Sequence, residues 1–393
     1  MRCARRQRGM ILPALLVLLV VGGLGWLLAR QDSRAHRELA HEIRTGQALA
    51  QAREALLGFA ATYRNAEHPN ADFGYLPCPD LDGDGSAETC GTQGQASIGR
   101  LPYLTLNLPD LRDGSGECLW YAVSGAVKNN PKPDVLNWDS SGTFRLEDAA
   151  GQPVILPGDQ AGHAVALVIA AGPPLPTQAR SPGPDRCGGD SDARQLQHYV
   201  EALTASTGSV PVAVRPAAGN DRIAAITIDD IFSQLKRRPS YGPWLQKVLQ
   251  ATADCLAKPT LPPVVGPSRH GPVELGRVPP LTQLSGTCRT ETLRDATANW
   301  ADTLRYARCI GDTDCLAGNG RRCRGALIFG GERATSGQPR LSPADKLDTA
   351  HYLEPATLAA LAAGQLAALP DTLVLPTTPH PPAATADVAL CLP

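Results

Sequence analysis

Twenty consecutive residues without a charge, MILPALLVLLVVGGLGWLLA (10–29), open the polarity pattern of the chain. At 1.5 Å per residue a helix of that length covers ~30 Å, the thickness of a bilayer core. The pattern then changes character without a break. Residues 30–64 contain no proline, and Leu39, Ile43, Ala50, Leu56 or Leu57, Ala60 and Tyr63 recur at helical spacing with Arg and Glu opposite. The prediction is one helix from Met10 to Arg64, ~80 Å long, apolar all round at first and amphipathic afterwards.

Beyond the helix the apolar runs become short. LWYAV (119–123), AVALVIA (164–170) and RIAAITI (222–228) read as strands, and Asp229 and Asp230 open a helix over 229–238 that Pro239 stops. Residues 65–256 therefore form one α+β domain. Residues 257–285 are rich in Pro and Gly without periodicity and read as a linker. Residues 286–393 form a second, smaller α+β unit, with a helix near 289–308, a strand at 326–331 and a helix near 354–367. Blocks recur in order: LWYAVS (119–124) with LRYARC (304–309), ALVIAAG (166–172) with ALIFGG (326–331), Gln178/Arg180 with Gln338/Arg340, and HYVE (198–201) with HYLE (351–354). Four blocks in one order predict an internal duplication. Gln178, Arg180, Gln338 and Arg340 are then turn-stabilising residues. The expected fold is α+β: a long N-terminal helix carrying a mainly antiparallel β region.

Composition adds the need for covalent constraint. Gly (38) and Pro (35) are abundant and aromatics are 5%, so turns are many and large core side chains few. Eleven cysteines are present, and all but Cys3 follow the apolar segment: Cys78, Cys90, Cys118, Cys187, Cys255, Cys288, Cys309, Cys315, Cys323 and Cys391. An even ten, with no C-x-x-C pair, points to disulfides in an oxidising compartment rather than zinc. Cys78 and Cys90 bracket a turn and are expected to pair. Of Cys309, Cys315 and Cys323 at least one pairs outside its cluster, and Cys391 ties down the C-terminus. Net charge is −1, which gives no field for nucleic acid. Residues 1–9, MRCARRQRG, carry four arginines and no acid, which holds the N-terminus in the cytoplasm and the rest in the periplasm. Leu27 and Ala29 make a poor cleavage site before Arg30, so the segment is expected to stay as an inner-membrane anchor.

One segment carries candidate chemistry. In DLDGDGSAE (80–88), Asp80, Asp82 and Asp84 alternate and Gly85 permits a sharp turn, as in the first half of an EF-hand calcium loop. The last ligand departs from that pattern: position twelve is Gly91, and Glu88 would serve instead. The alternative is a polar surface turn. Catalytic signatures are missing. His36 and His41 are five apart and so on different faces of a helix, and Ser124 in AVSGA lacks a nucleophile elbow's flanking glycine. Neither a P-loop nor a dinucleotide fingerprint occurs. The reading is non-enzymatic.

The basic leader ending in Gly9, running straight into an apolar and then amphipathic helix, resembles the class III signal of type IV pilins and type II secretion pseudopilins. YLPCPDLDGDG (75–85), GRLPYLTLNLPDL (99–111) and LWYAVSG (119–125) look like globular parts of large pseudopilin-like proteins. The resemblance implies that prepilin peptidase cuts after Gly9 and methylates Met10, and that the partners are the inner membrane and other pilin or pseudopilin subunits. The family's glutamate five residues past the cut is Ala14 here, preceded by Pro13. That leaves a filament-tip subunit or an anchored protein that does not polymerise. A stand-alone periplasmic binding protein is the alternative function, and an anchored hydrolase a third.

Overall fold

The computed structural model describes residues 11–66, 73–156, 160–180, 196–203, 212–215, 219–281, 288, 291–311, 313–318, 320–333, 337–376 and 387–393. Within the first helix it describes the side chains of 15–22 and 35–63. The leader, Gly9, Met10 and Cys187 lie outside these residues. The elements in chain order are α1 (Ile11–Ala66), β1 (Ser97–Arg100), β2 (Trp120–Val123), β3 (Phe144–Leu146), β4 (Ala166–Ala170), β5 (Val212–Val214), β6 (Arg222–Ile226), α2 (Ile228–Lys236) and α3 (Tyr241–Leu256). They continue with β7 (Val265–His270), β8 (Val273–Arg277), α4 (Glu291–Asn299), β9 (Leu304–Cys309), β10 (Leu316–Ala317), β11 (Arg322–Cys323), β12 (Gly325–Phe329), α5 (Pro343–Leu347), α6 (Pro355–Ala362) and β13 (Val388–Leu392). The class is α+β, and every strand pair is antiparallel except the short β3–β5 pair.

α1 is continuous over 56 residues: Pro13 falls in its first turn, where a helix tolerates it, and residues 30–64 carry no proline. Its two ends live in different surroundings. Ala48, Leu49, Ala52, Leu56, Leu57, Phe59, Ala60 and Tyr63 enter the main core, so the packed stripe begins at Ala48. Leu39, Ile43 and Ala50, expected on that stripe, are exposed instead: between 41 and 45 the helix meets the body through Glu42, which pairs with Arg222, and Thr45, which accepts from Gly114 N, so Ile43 lies off the contact face. Among the described residues no helix is long and apolar enough to cross a membrane, so the predicted span 10–29 is not found as such. Leu15 to Val21 are nevertheless apolar and each at least half exposed.

The body repeats one plan. A four-stranded sheet runs β1-β2-β4-β6, and a five-stranded sheet contains the same succession as β8-β9-β12-β13, with β7 added outside β8. Equivalent residues make equivalent bonds. Gly99 pairs with Tyr121 and Gly276 with Tyr306. Tyr121 Oη donates to Pro77 O, and Tyr306 Oη to Pro262 O, both at 3.1 Å. Each unit begins with a helix, α1 in the first and α3 in the second.

Three boundaries therefore differ from the sequence reading. Residues 257–285, expected as a linker, contain the β7–β8 hairpin, because its turn glycine Gly271 (φ 56°) and the bulge near Gly266 (φ 62°) are parts of strands rather than breaks between them. α3 opens the second unit. The helix expected to 308 ends at Asn299, and LRYARC enters the sheet as β9, where alternate residues face the two sides. The helix after β6 starts as predicted: Thr227 caps it in a capping box with Asp230.

Disulfides staple both units. Cys78–Cys90, Cys255–Cys288, Cys309–Cys315 and Cys323–Cys391 are bonded, and Cys118 is also disulfide-bonded. Cys323 is thus the cysteine that leaves its cluster, and Cys391 joins β13 to β11.

Candidate functional site

The acidic loop hangs between two fixed points. Cys78 and Cys90 close its ends, and Asp80 exchanges backbone hydrogen bonds with Arg100 of β1 at 3.0 and 2.8 Å. The equivalent residues of the second unit, Val265 and Arg277, pair within the β7–β8 hairpin. The acidic residues are therefore an elaboration confined to the first unit. Gly83 (φ 86°) and Gly85 (φ 92°) occupy left-handed conformations, which lets the chain curl around the Asp80 carboxylate. Asp80 Oδ1 accepts from Gly83 N at 2.5 Å and Oδ2 from Gly85 N at 2.8 Å. Asp82 accepts from Asp84 N, Asp84 from Ser86 N, and Glu88 from Leu81 N. A Cβ on Gly85 would sit 2.6 Å from the Tyr103 ring, so the turn also has no room for a side chain there.

These bonds gather like charges. One oxygen from each of Asp80, Asp82, Asp84 and Glu88 lies within 4.8 Å of the others. Oxygens bound to one calcium at 2.3–2.6 Å stand up to about 5 Å apart across the ion, so the cluster has the dimensions of a calcium shell. Burial pushes the Asp80 carboxyl above the usual range, the Gly83 and Gly85 N–H groups pull it back, and the charges of Asp84 and Asp82 add to the rise. Glu88 is raised too, by burial first and then by its acidic neighbours. A hard divalent cation would relieve the repulsion, and Glu88 would then stand where an EF-hand has its twelfth residue.

Of the other sequence candidates, Ser124 and the two Q-x-R arginines have structural partners. Ser124 is buried, and its Oγ accepts from Thr143 Oγ1 and Ala126 N. His36 and His41 are exposed on α1. Arg180 donates through Nε to His198 O and through Nη1 to Gly172 O, both at 2.7 Å, while Gln178 Oε1 accepts from its Nη2. Arg340 repeats the set with His351 O, Gly331 O and Gln338 Oε1. Both arginines stitch the strand after which they follow to the HY-x-E segment, which fits the turn-stabilising reading.

The sequence reading missed their aromatic partners. Tyr199 lies between Arg100 and Arg180, with guanidinium carbons 4.5 and 4.8 Å from its ring centroid. Tyr352 lies between Arg305 and Arg340 at 4.1 and 4.4 Å. Burial pushes Arg100 and Arg305 down to about 10 each. A fifth repeated block, GRLP (99–102) with GRVP (276–279), matches Arg100 to Arg277, yet Arg277 is exposed and the second unit places Arg305 on its tyrosine instead. No family model, no curated protein and no solved structure matches the chain.

Proposed function

We propose that the chain is a non-enzymatic minor pilin- or pseudopilin-like subunit of a type IV pilus or type II secretion apparatus. The observation that carries this reading is α1: one 56-residue helix whose end is built into the body while Leu15 to Val21 stand apolar and exposed at its start. Exposed leucine and valine around a whole helical surface need a nonaqueous neighbour. A bilayer and the helices of other subunits supply one. The four leader arginines put the N-terminus in the cytoplasm and the disulfide-bonded body in the periplasm, where such bonds persist. Prepilin peptidase then cleaves after Gly9 and methylates Met10.

The acidic loop is a calcium-binding staple in this reading, with Asp80, Asp82, Asp84 and Glu88 as ligands and no part in a reaction. Ala14 favours a second reading, an anchored periplasmic binding protein that does not polymerise, because the residue that normally meets a neighbouring subunit is absent. N-terminal sequencing of membrane-extracted protein, with and without the peptidase, decides between them. A chain starting at methylated Met10 is expected. An intact leader would leave the anchored binding protein, and cleavage after Ala29 would sink both.

A further inference from the structure

Each unit sets a half-buried glutamate beside a buried aspartate, a pair that neither the acidic loop nor the arginine–tyrosine cluster uses. In the first, Asp221 stands just before β6 and its Oδ2 accepts from Glu201 N at 2.8 Å and Ala202 N at 2.9 Å. These bonds clamp the HYVE segment, and so Tyr199, to the last strand of the unit. In the second, Asp387 stands just before β13 and accepts from Glu354 N at 2.9 Å, clamping HYLE. Asp221 is 3% exposed and Asp387 2%. Asp221 Oδ1 and both oxygens of Glu201 are buried without a hydrogen-bond partner. Buried ionised oxygens without donors are costly, and two of like charge side by side cost more.

We propose that Glu201/Asp221 and Glu354/Asp387 are equivalent proton-gated latches, each holding its HY-x-E segment to the last strand while one carboxyl is protonated and loosening when both ionise. Burial, with the charge of Glu201, pushes Asp221 up to about 7. Burial likewise raises Asp387, and it raises Glu354 together with the charge of Asp387. The charged groups facing Asp221 are Glu201 and Arg180. Arg180 is already bonded to His198 O and Gly172 O and lies 3.3 Å from Glu117. Arg222, next in the chain, is held by Glu42 of α1. Glu354 and Arg340 face Asp387, and Arg340 is paired with Asp139 at 3.1 Å. Each arginine, shared with these other partners, pulls its aspartate down less than burial pushes it up.

The folded state binds the extra proton between the ordinary carboxyl range and about pH 7, so stability falls as pH rises through that window. The test uses the full chain in detergent, with chelator present, melted between about pH 5 and about pH 8. The melting temperature is expected to drop by several degrees toward the alkaline end, and Asp221→Asn with Asp387→Asn should remove much of the drop. Amide exchange at Glu201, Ala202 and Glu354 should accelerate with pH beyond the intrinsic base-catalysed rate in the unmodified chain alone. If the asparagine variant does not fold, Glu201→Gln with Glu354→Gln keeps both clamps and should show the same flattening. An unmodified slope in both variants would overturn the proposal. So would calcium raising the melting temperature in a Glu201-dependent way with the acidic loop disabled, since the pair would then hold a cation rather than a proton.

Discussion

At the residue scale the acidic loop sets backbone geometry against charge. Its carboxylates accept from the turn's N–H groups, which favours the ionised form, yet burial and mutual repulsion favour protonation more. Calcium would remove the conflict by binding the ionised form. The chain should therefore melt at a higher temperature in millimolar calcium than in chelator, the gap growing with ligand concentration as for binding to the native state alone. Asp82→Ala with Asp84→Ala should abolish the gap, while the Cys78–Cys90 bond keeps the loop closed. Equal melting temperatures in calcium and chelator would make the loop a plain turn. Without metal the raised Asp80 and Glu88 make this region more stable as pH falls toward the carboxyl range, and calcium should reverse that slope locally.

At the scale of elements, two glycines show how closely the repeated sheets are packed. A Cβ on Gly99 would lie 2.5 Å from Asp80 O, and one on Gly276 would lie 2.6 Å from Val265 O. Both would push on backbone, so Gly99→Ala and Gly276→Ala should each cost about 1–3 kcal/mol in a denaturant titration. Gly46 sits on the exposed part of α1 with nothing near its would-be Cβ, and Gly46→Ala should stabilise by about 0.5–1 kcal/mol. A loss there would mean that this face of the helix is not open. The sequence made β2, β4, β6 and β12 legible because each is an apolar run bounded by turn residues. It hid β1 and β7, because SIGR and VGPSRH are polar or glycine-bearing and become strands only through their partners. LRYARC misled for the opposite reason: its spacing suits a helix, and tertiary pairing with β8 and β12 overrides it. The paired carboxyls were illegible, since Glu201 and Asp221 come together only when β6 docks.

At the scale of the whole molecule, one core spans both units. Trp138 of the first stacks edge-on against Trp300 of the second at 4.5 Å, with Phe232 and Phe329 completing the cluster. Asn137 donates to Asn299 O and Asp302 across the same boundary. Lys236, the last residue of α2, reaches Glu332 beyond β12 at 2.7 Å with both side chains 1% exposed. Two units without these contacts would unfold separately, whereas a shared core favours one cooperative transition. Lys236→Met tests the coupling most directly. It leaves the Glu332 carboxylate buried without its lysine, and breaking such a pair costs about 3–5 kcal/mol. Lys236→Met with Glu332→Leu fills the site with apolar volume and should recover most of that loss. Equilibrium denaturation followed by tryptophan fluorescence should show one transition whose midpoint shifts while its slope stays constant. A single variant that splits the transition in two would show that the ion pair, rather than the aromatic cluster, joins the units; a single variant with no loss would show that the pair is not buried in solution.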